Sequence, residues 1–325
     1  MLFCLACLAA FAIVVIAALL VGLRLFAYFT LGVCRSKASM KGKTVVITGA
    51  NSGIGKETAR DLAKRGAKVI MACRNLETAN KARDEIIEGT GNKDVIVKKL
   101  DLSSLKSVRE FAEDVKRSIS KLDVLIHNAG TADMFKSKTT EDGLEYTMAT
   151  NHFGPFLLTH LLIELLKQSA PSRIVVVGSE LYRLAALNLD KLNPIGTLPA
   201  YLYYVSKCAN IVFSQELARR LADTGVTVNC LHPGMIDSGI WRNVPFPLNL
   251  PLQLLIKGFF KTPEQGAQTT ILLAVSEELE GVTGKYYLDC KEFFLSNRVK
   301  DPAKGKKLWE LSENFVGLEP TDPHI

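Results

Sequence analysis

No segment of the chain concentrates positive charge, and this excludes the partner that its charge balance would otherwise suggest. The formal net charge is +7 over 325 residues. The lysines and arginines are nevertheless dispersed, with no aromatic residues interleaved to stack bases, so nucleic-acid binding is not expected. Cysteine is too scattered to form a framework. The seven, Cys4, Cys7, Cys34, Cys73, Cys208, Cys230 and Cys290, are odd in number. Two lie in an apolar run and five are far apart, which indicates neither a disulfide scaffold nor a zinc site. No metal is expected. Internal repeats and low-complexity tracts are missing too, and 48% hydrophobic residues are ample for a buried core, so disorder is excluded.

Charge is absent altogether from Leu2 to Gly22, which is almost wholly apolar. A bilayer needs ~20 such residues. A cleaved signal peptide would have a basic start and an apolar region of ~7–15 residues. Here there is no basic start, and apolar character continues to Val33, interrupted only by Arg24. An uncleaved transmembrane helix is therefore expected. Arg24, Arg35, Lys37, Lys41 and Lys43 all follow the span, which puts the main domain on the cytosolic side. The expected organisation is a membrane anchor and basic linker over 1–40, one domain over 41–300, and a short helix and tail over 301–325.

From Lys43 onward short β-branched runs alternate with helical stretches, the pattern of parallel strands joined by crossovers. Strands are predicted at Thr44–Thr48, Lys68–Ala72, Val95–Leu100, Val124–His127, Arg173–Val177, Val226–Leu231 and Lys285–Leu288. The main helices between them are predicted at Ile54–Arg65, Leu76–Glu88, Leu105–Ser118, Asn151–Lys167 and Tyr203–Ala222, and a last one begins at Asp301-Pro302 and runs through Leu311. The fold class is α/β, a doubly wound parallel sheet of seven strands in a single domain. Between Met235 and Phe260 the chain is apolar and carries Pro245, Pro247 and Pro251. That stretch reads as a substrate-covering lid without regular structure.

Two patterns carry chemistry. In Tyr201-Leu-Tyr-Tyr-Val-Ser-Lys207, Tyr203 and Lys207 are four apart and share a helix face. A nearby ammonium favours the ionised phenol, so Lys207 is expected to lower the pKa of Tyr203 and make it a usable acid/base. The second pattern is Thr48-Gly49-Ala50-Asn51-Ser52-Gly53-Ile54-Gly55, which follows the first strand and opens the first helix. Backbone N–H groups and the helix dipole attract a pyrophosphate there, and glycine leaves room for its approach.

Together with Asn128-Ala129-Gly130, Asn151, Ser179 and Pro233-Gly234, these patterns resemble the short-chain dehydrogenase/reductase superfamily over about residues 41–300. The resemblance implies a Rossmann-type fold with Tyr203 as general acid/base. It makes Lys207 the residue that lowers the phenol pKa and holds the nicotinamide ribose, Ser179 the partner of the substrate oxygen, and Asn151 the support of a proton-relay water. His127 and Gly178 depart from the residues usual beside Asn128 and Ser179, without removing either. The implied cofactor contacts are Gly49, Asn51, Ser52, Gly53, Ile54, Gly55, Asn128, Ala129, Gly130, Tyr203, Lys207, Pro233, Gly234, Ile236 and Ser238, with Asp101 and Leu102 at the adenine.

Cofactor choice turns on the end of the second strand, where an acidic residue would bind ribose hydroxyls and repel a 2′-phosphate. The chain has Arg74 there, which can pair with that phosphate, so NADP(H) is expected. Ser52 stands where some NADP-using relatives carry a basic residue. The runs from Asn51, from Ala72 to Asn75 and from Phe213 to Arg220 look most like the membrane-anchored retinol dehydrogenase group. That resemblance implies a retinoid or another lipophilic alcohol/carbonyl pair and the endoplasmic reticulum membrane, and leaves a homodimer open.

Overall fold

In the computed structural model of the protein, residues 29–132, 138–237 and 249–325 are described, with scattered positions between 11 and 25. Strand β1 (Thr44–Thr48) is buried along its whole length, as its Val45-Val46-Ile47 centre requires when both faces of a sheet are covered. Strands β2 (Lys68–Cys73) and β3 (Val95–Lys99) add on one side of it. On the other lie β4 (Val124–His127), β5 (Ser172–Val177), β6 (Val226–His232) and β7 (Tyr286–Leu288). The order is β3-β2-β1-β4-β5-β6-β7, all parallel.

The sheet has one strand more than the seven expected. Strand β8 (Lys291–Glu292) pairs antiparallel with β7. Between them Asp289 and Cys290 adopt φ of 50° and 59°, the left-handed pair that a two-residue hairpin needs. Glycine ordinarily marks the second of those positions, and cysteine in its place concealed the turn.

The connecting helices are α1 (Gly53–Lys64), α2 (Leu76–Thr90), α3 (Leu105–Ser118), α4 (Gly154–Gln168), α5 (Pro199–Arg220), α6 (Asn249–Phe259), α7 (Pro263–Val275) and α8 (Pro302–Val316). One sheet face packs on α1, α2 and α7, the other on α3, α4, α5 and α8. Local signals set the starts: Asn75 accepts from Thr78 N, Ser104 accepts from Ser107 N, and Thr262 forms a capping box with Gln265, each satisfying donors the helix leaves unpaired.

Several expected boundaries shift for identifiable reasons. Helix α5 starts at Pro199, because proline at the first helical position is preorganised and gives up no needed donor. The lid stretch is not wholly irregular: 238–248 lie outside the described residues, but Asn249–Phe259 is helical, with Pro251 in the first turn where its missing N–H has no partner to lose. The last helix runs to Val316 and ends at Gly317, φ 56°.

The predicted span, Leu2–Gly22, lies largely outside the described residues. Those described within it, such as Phe11, Val14, Leu19 and Leu20, are helical and exposed. Among the described residues no helix is long and apolar enough to cross a membrane. From residue 32 the linker is docked on the domain. A Cβ on Gly32 would lie 2.1 Å from the Asp289 carbonyl carbon, and Cys34 N donates to the Gln268 side chain at 3.1 Å. Further upstream, the Arg24 guanidinium donates to the Gly258 carbonyl in α6.

The C-terminal helix is part of the core. Trp309, 1% exposed, meets Phe156, His160 and Phe213 with ring centroids 5.0, 5.1 and 5.9 Å away, and Arg220 lies 4.3 Å over its ring. Trp309→Ala should therefore cost ~3–5 kcal/mol of stability in urea unfolding. A loss under 1 kcal/mol would mean that α8 is only loosely attached.

Candidate active site

The strand order reverses between β1 and β4, and a crevice opens there at the strands' C-terminal ends. Gly49 and Gly53 take φ of 68° and 56°, conformations that side chains disfavour. A Cβ on Gly55 would lie 2.4 Å from Asn128 Nδ2 and 2.5 Å from the Gly49 carbonyl oxygen. Ser52 caps α1 with extended backbone and makes no side-chain cap bond. This leaves a helix N-terminus lined by backbone, a cradle that fits a dinucleotide pyrophosphate.

Other expected cofactor residues brace that turn. Asn128 Nδ2 donates to the Thr48 and Gly49 carbonyls at 2.9 and 3.2 Å. The backbone N–H groups of Asn128 and Ala129 both donate to the Thr48 hydroxyl at 3.0 Å. Asn51 Nδ2 donates to Thr78 Oγ1 at 3.0 Å. Asp101 accepts from the N–H and hydroxyl of Ser103 at 3.0 and 2.6 Å, and Leu102 is buried against Gly154. Gly234 takes φ 95° after Pro233, and Ile236 is buried against Gly266, which also lies beside Ile54 of the turn. Ser238 lies outside the described residues.

The four expected catalytic residues converge. Ser179 is 4% exposed just past β5, accepts from Leu181 N at 3.2 Å, and is hydrogen-bonded to the Tyr203 phenol. Lys207, also 4% exposed, donates to the Val177 carbonyl at 2.8 Å. Asn151, expected as the first residue of a helix, precedes α4. It sits inside a π-helical turn, Ala149–Phe153, that interrupts an otherwise α-helical run from Tyr146 into α4. Its amide accepts from Thr131 N at 2.8 Å and donates to Thr131 O and Ser206 Oγ at 2.9 Å each. A Cβ on Gly130 would meet Lys207 Nζ at 3.5 Å and Asn151 Oδ1 at 3.6 Å, so that glycine keeps the space between them open.

The expected electrostatics need correction. Burial raises Tyr203 to about 12, opposed by its hydrogen bond to Ser179. Lys207 does not lower it, because its ammonium is turned to Val177 and lies 5.7 Å from the centre of the Tyr203 ring. Desolvation in turn lowers Lys207 to about 8. At neutral pH the phenol is protonated.

Ser206 and Thr131 escaped the sequence reading. Ser206 donates to the Tyr203 carbonyl at 2.8 Å and so ties Asn151 to the tyrosine's own turn. Its signal was helical spacing, three residues after Tyr203 and one before Lys207. Thr131 contributes only its backbone, which no side-chain pattern reveals.

Residues 43–246 match the short chain dehydrogenase family, and the chain belongs to it. It is therefore an oxidoreductase acting on CH–OH groups and uses NAD(P)(H). Human retinol dehydrogenase 14 is 48% identical over 297 residues, covering 86% of this chain and 88% of that protein. Human retinol dehydrogenase 12 is 44% identical, with 90% and 92% covered. Among solved structures, a Pseudomonas aeruginosa RhlG/NADP active-site complex superposes with a TM-score of 0.63 at 28% identity, covering 76% of this chain and 94% of that one.

A lysine pKa of about 8 against roughly 10.4 unfolded means that between these values the unfolded chain binds more protons. Stability from this group therefore rises as pH goes from 7 to 9, by about 1 kcal/mol. Lys207→Met removes this slope, so the stability of the wild type relative to the variant should rise by about 1 kcal/mol over that range. A constant difference in urea midpoints would show that Lys207 titrates normally.

Proposed function

We propose that the protein transfers hydride between NADP(H) and a lipophilic alcohol/carbonyl pair of retinoid type, anchored by Leu2–Gly22 in the endoplasmic reticulum membrane with its domain in the cytosol. The observation that carries the reading is the meeting of Tyr203, Ser179, Lys207 and Asn151 beside the glycine-lined crevice. When bound, the dinucleotide supplies or accepts the hydride. Ser179 orients and polarises the carbonyl oxygen, and Tyr203 delivers the proton. A phenol kept protonated by burial is the form that carbonyl reduction uses. Lys207 holds the cofactor ribose, and Asn151, fixed through Thr131 and Ser206, supports proton return.

Three observations support the finer points. Arg74 stands exposed just past the end of β2, where a guanidinium suits a 2′-phosphate and an acid would repel it. The relatives named retinol dehydrogenase are similar along most of the chain. Exposed apolar side chains on segments that follow the C-terminal ends of parallel strands, Leu184, Met235 and Leu250, suit a substrate arriving from lipid, as does the contact of Arg24 with α6.

Tyr203→Phe should lower turnover on the order of 10²–10⁴-fold while NADPH still binds; Tyr201→Phe and Tyr204→Phe should be mild. Full activity in Tyr203→Phe would remove the assigned acid. All-trans-retinal should be reduced with a far higher kcat/KM than a short polar aldehyde, since each buried methylene contributes ~0.8 kcal/mol. A preference for small hydrophilic carbonyls would defeat the substrate assignment. For topology, protease added to intact microsomes should digest the domain, whereas protection would put it in the lumen.

A further inference from the structure

Arg74 is not alone at the adenosine end of the crevice. Its guanidinium donates to the Tyr146 phenol oxygen, from the turn that leads into the π-helical segment carrying Asn151. Lys99, the last residue of β3, donates from Nζ to the Arg74 carbonyl at 2.6 Å. The Lys138 ammonium lies 5.6 Å over the Tyr146 ring. Neither Arg74 nor Lys99 forms an ion pair among the described residues. Asp101, the acid whose charge is felt at Arg74, directs its Oδ1 to Ser103.

The choice of a phenol as partner matters. A carboxylate would hold the guanidinium but neutralise it. A phenol oxygen accepts one N–H and leaves the charge and the remaining donors of the fork available. The Tyr146 hydroxyl also keeps its own proton to donate. An arginine on an exposed strand end would otherwise sample many rotamers and lose that freedom on binding a phosphate.

We infer that Tyr146 is a specificity-determining positioning residue for the cofactor's 2′-phosphate, with Lys99 as the second cation of that site. Tyr146 holds Arg74 across the crevice in a phosphate-ready orientation, and Lys99 fixes the arginine's backbone while adding charge at the same place. The inference rests on the NADP(H) reading above and deepens it.

The test is equilibrium binding of NADPH and NADH, followed by nicotinamide fluorescence, to the full chain in detergent. Tyr146→Phe should weaken NADPH roughly 3- to 10-fold, the cost of ordering one rotamer-rich side chain on binding, and leave NADH unchanged. Lys99→Gln should also weaken NADPH selectively, with an effect that shrinks as salt is raised. In an Arg74→Ala background the Tyr146→Phe effect should vanish, because the phenol acts through the arginine. A general packing role would instead persist there and weaken both cofactors alike. Tighter NADPH binding by Tyr146→Phe would identify the phenol as a competitor for Arg74 and overturn the inference, as would an unchanged NADPH/NADH ratio. If Arg74→Ala itself leaves that ratio unchanged, the NADP(H) reading falls. If Arg74→Ala changes it and Tyr146→Phe does not, only the role of Tyr146 falls.

Discussion

Lys207 carries an amine into a site that water scarcely reaches, and the surrounding architecture answers that demand. A buried ammonium is tolerated only with hydrogen-bonding partners, and Val177, the last residue of β5, offers its carbonyl. That bond fixes α5 against the end of the strand from which Ser179 follows. Serine, tyrosine and lysine thus keep one geometry although they come from two elements. The same burial that strains the lysine's charge keeps the tyrosine's proton in place.

A second network locks the crevice from the other side. The Thr48 hydroxyl gathers the N–H groups after β4, while Asn128 reaches back to the glycine-rich turn. Asn151 then joins the segment after β4 to α5 through Thr131 and Ser206. The π-helical turn around it adds a residue to the helical winding, and such insertions re-aim side chains at functional sites. Few of these groups have rotational freedom left, as a site that must hold its geometry within tenths of an ångström requires.

Much of this was legible beforehand. Seven strands were readable because both faces of the sheet are covered, which writes each as a short β-branched run. The glycine-rich turn and the Tyr203–Lys207 spacing were readable because backbone approach and helical periodicity leave residue-level traces. Strand β8 was not, since two residues carry no period and Asp289-Cys290 lacks the usual turn glycine. Helix α6 was hidden by the helix-breaking reputation of Pro251, harmless in a first turn. The Tyr203 pKa was misjudged for another reason. Spacing shows that lysine and tyrosine share a helix face, but not that the ammonium is turned to Val177 or how completely both groups are dehydrated.

The placement of α8 has a consequence for assembly. Its Trp309 fills the groove between α4 and α5, Ser312 meets His152 at 2.8 Å, and Arg109 pairs with Asp322 at 2.8 Å. A segment of the same chain thus occupies the ground on which a neighbouring molecule's helices could otherwise lie. Two copies meeting through α4 and α5 would first have to evict an aromatic cluster from its own core, so any homodimer must be built from another face of the domain.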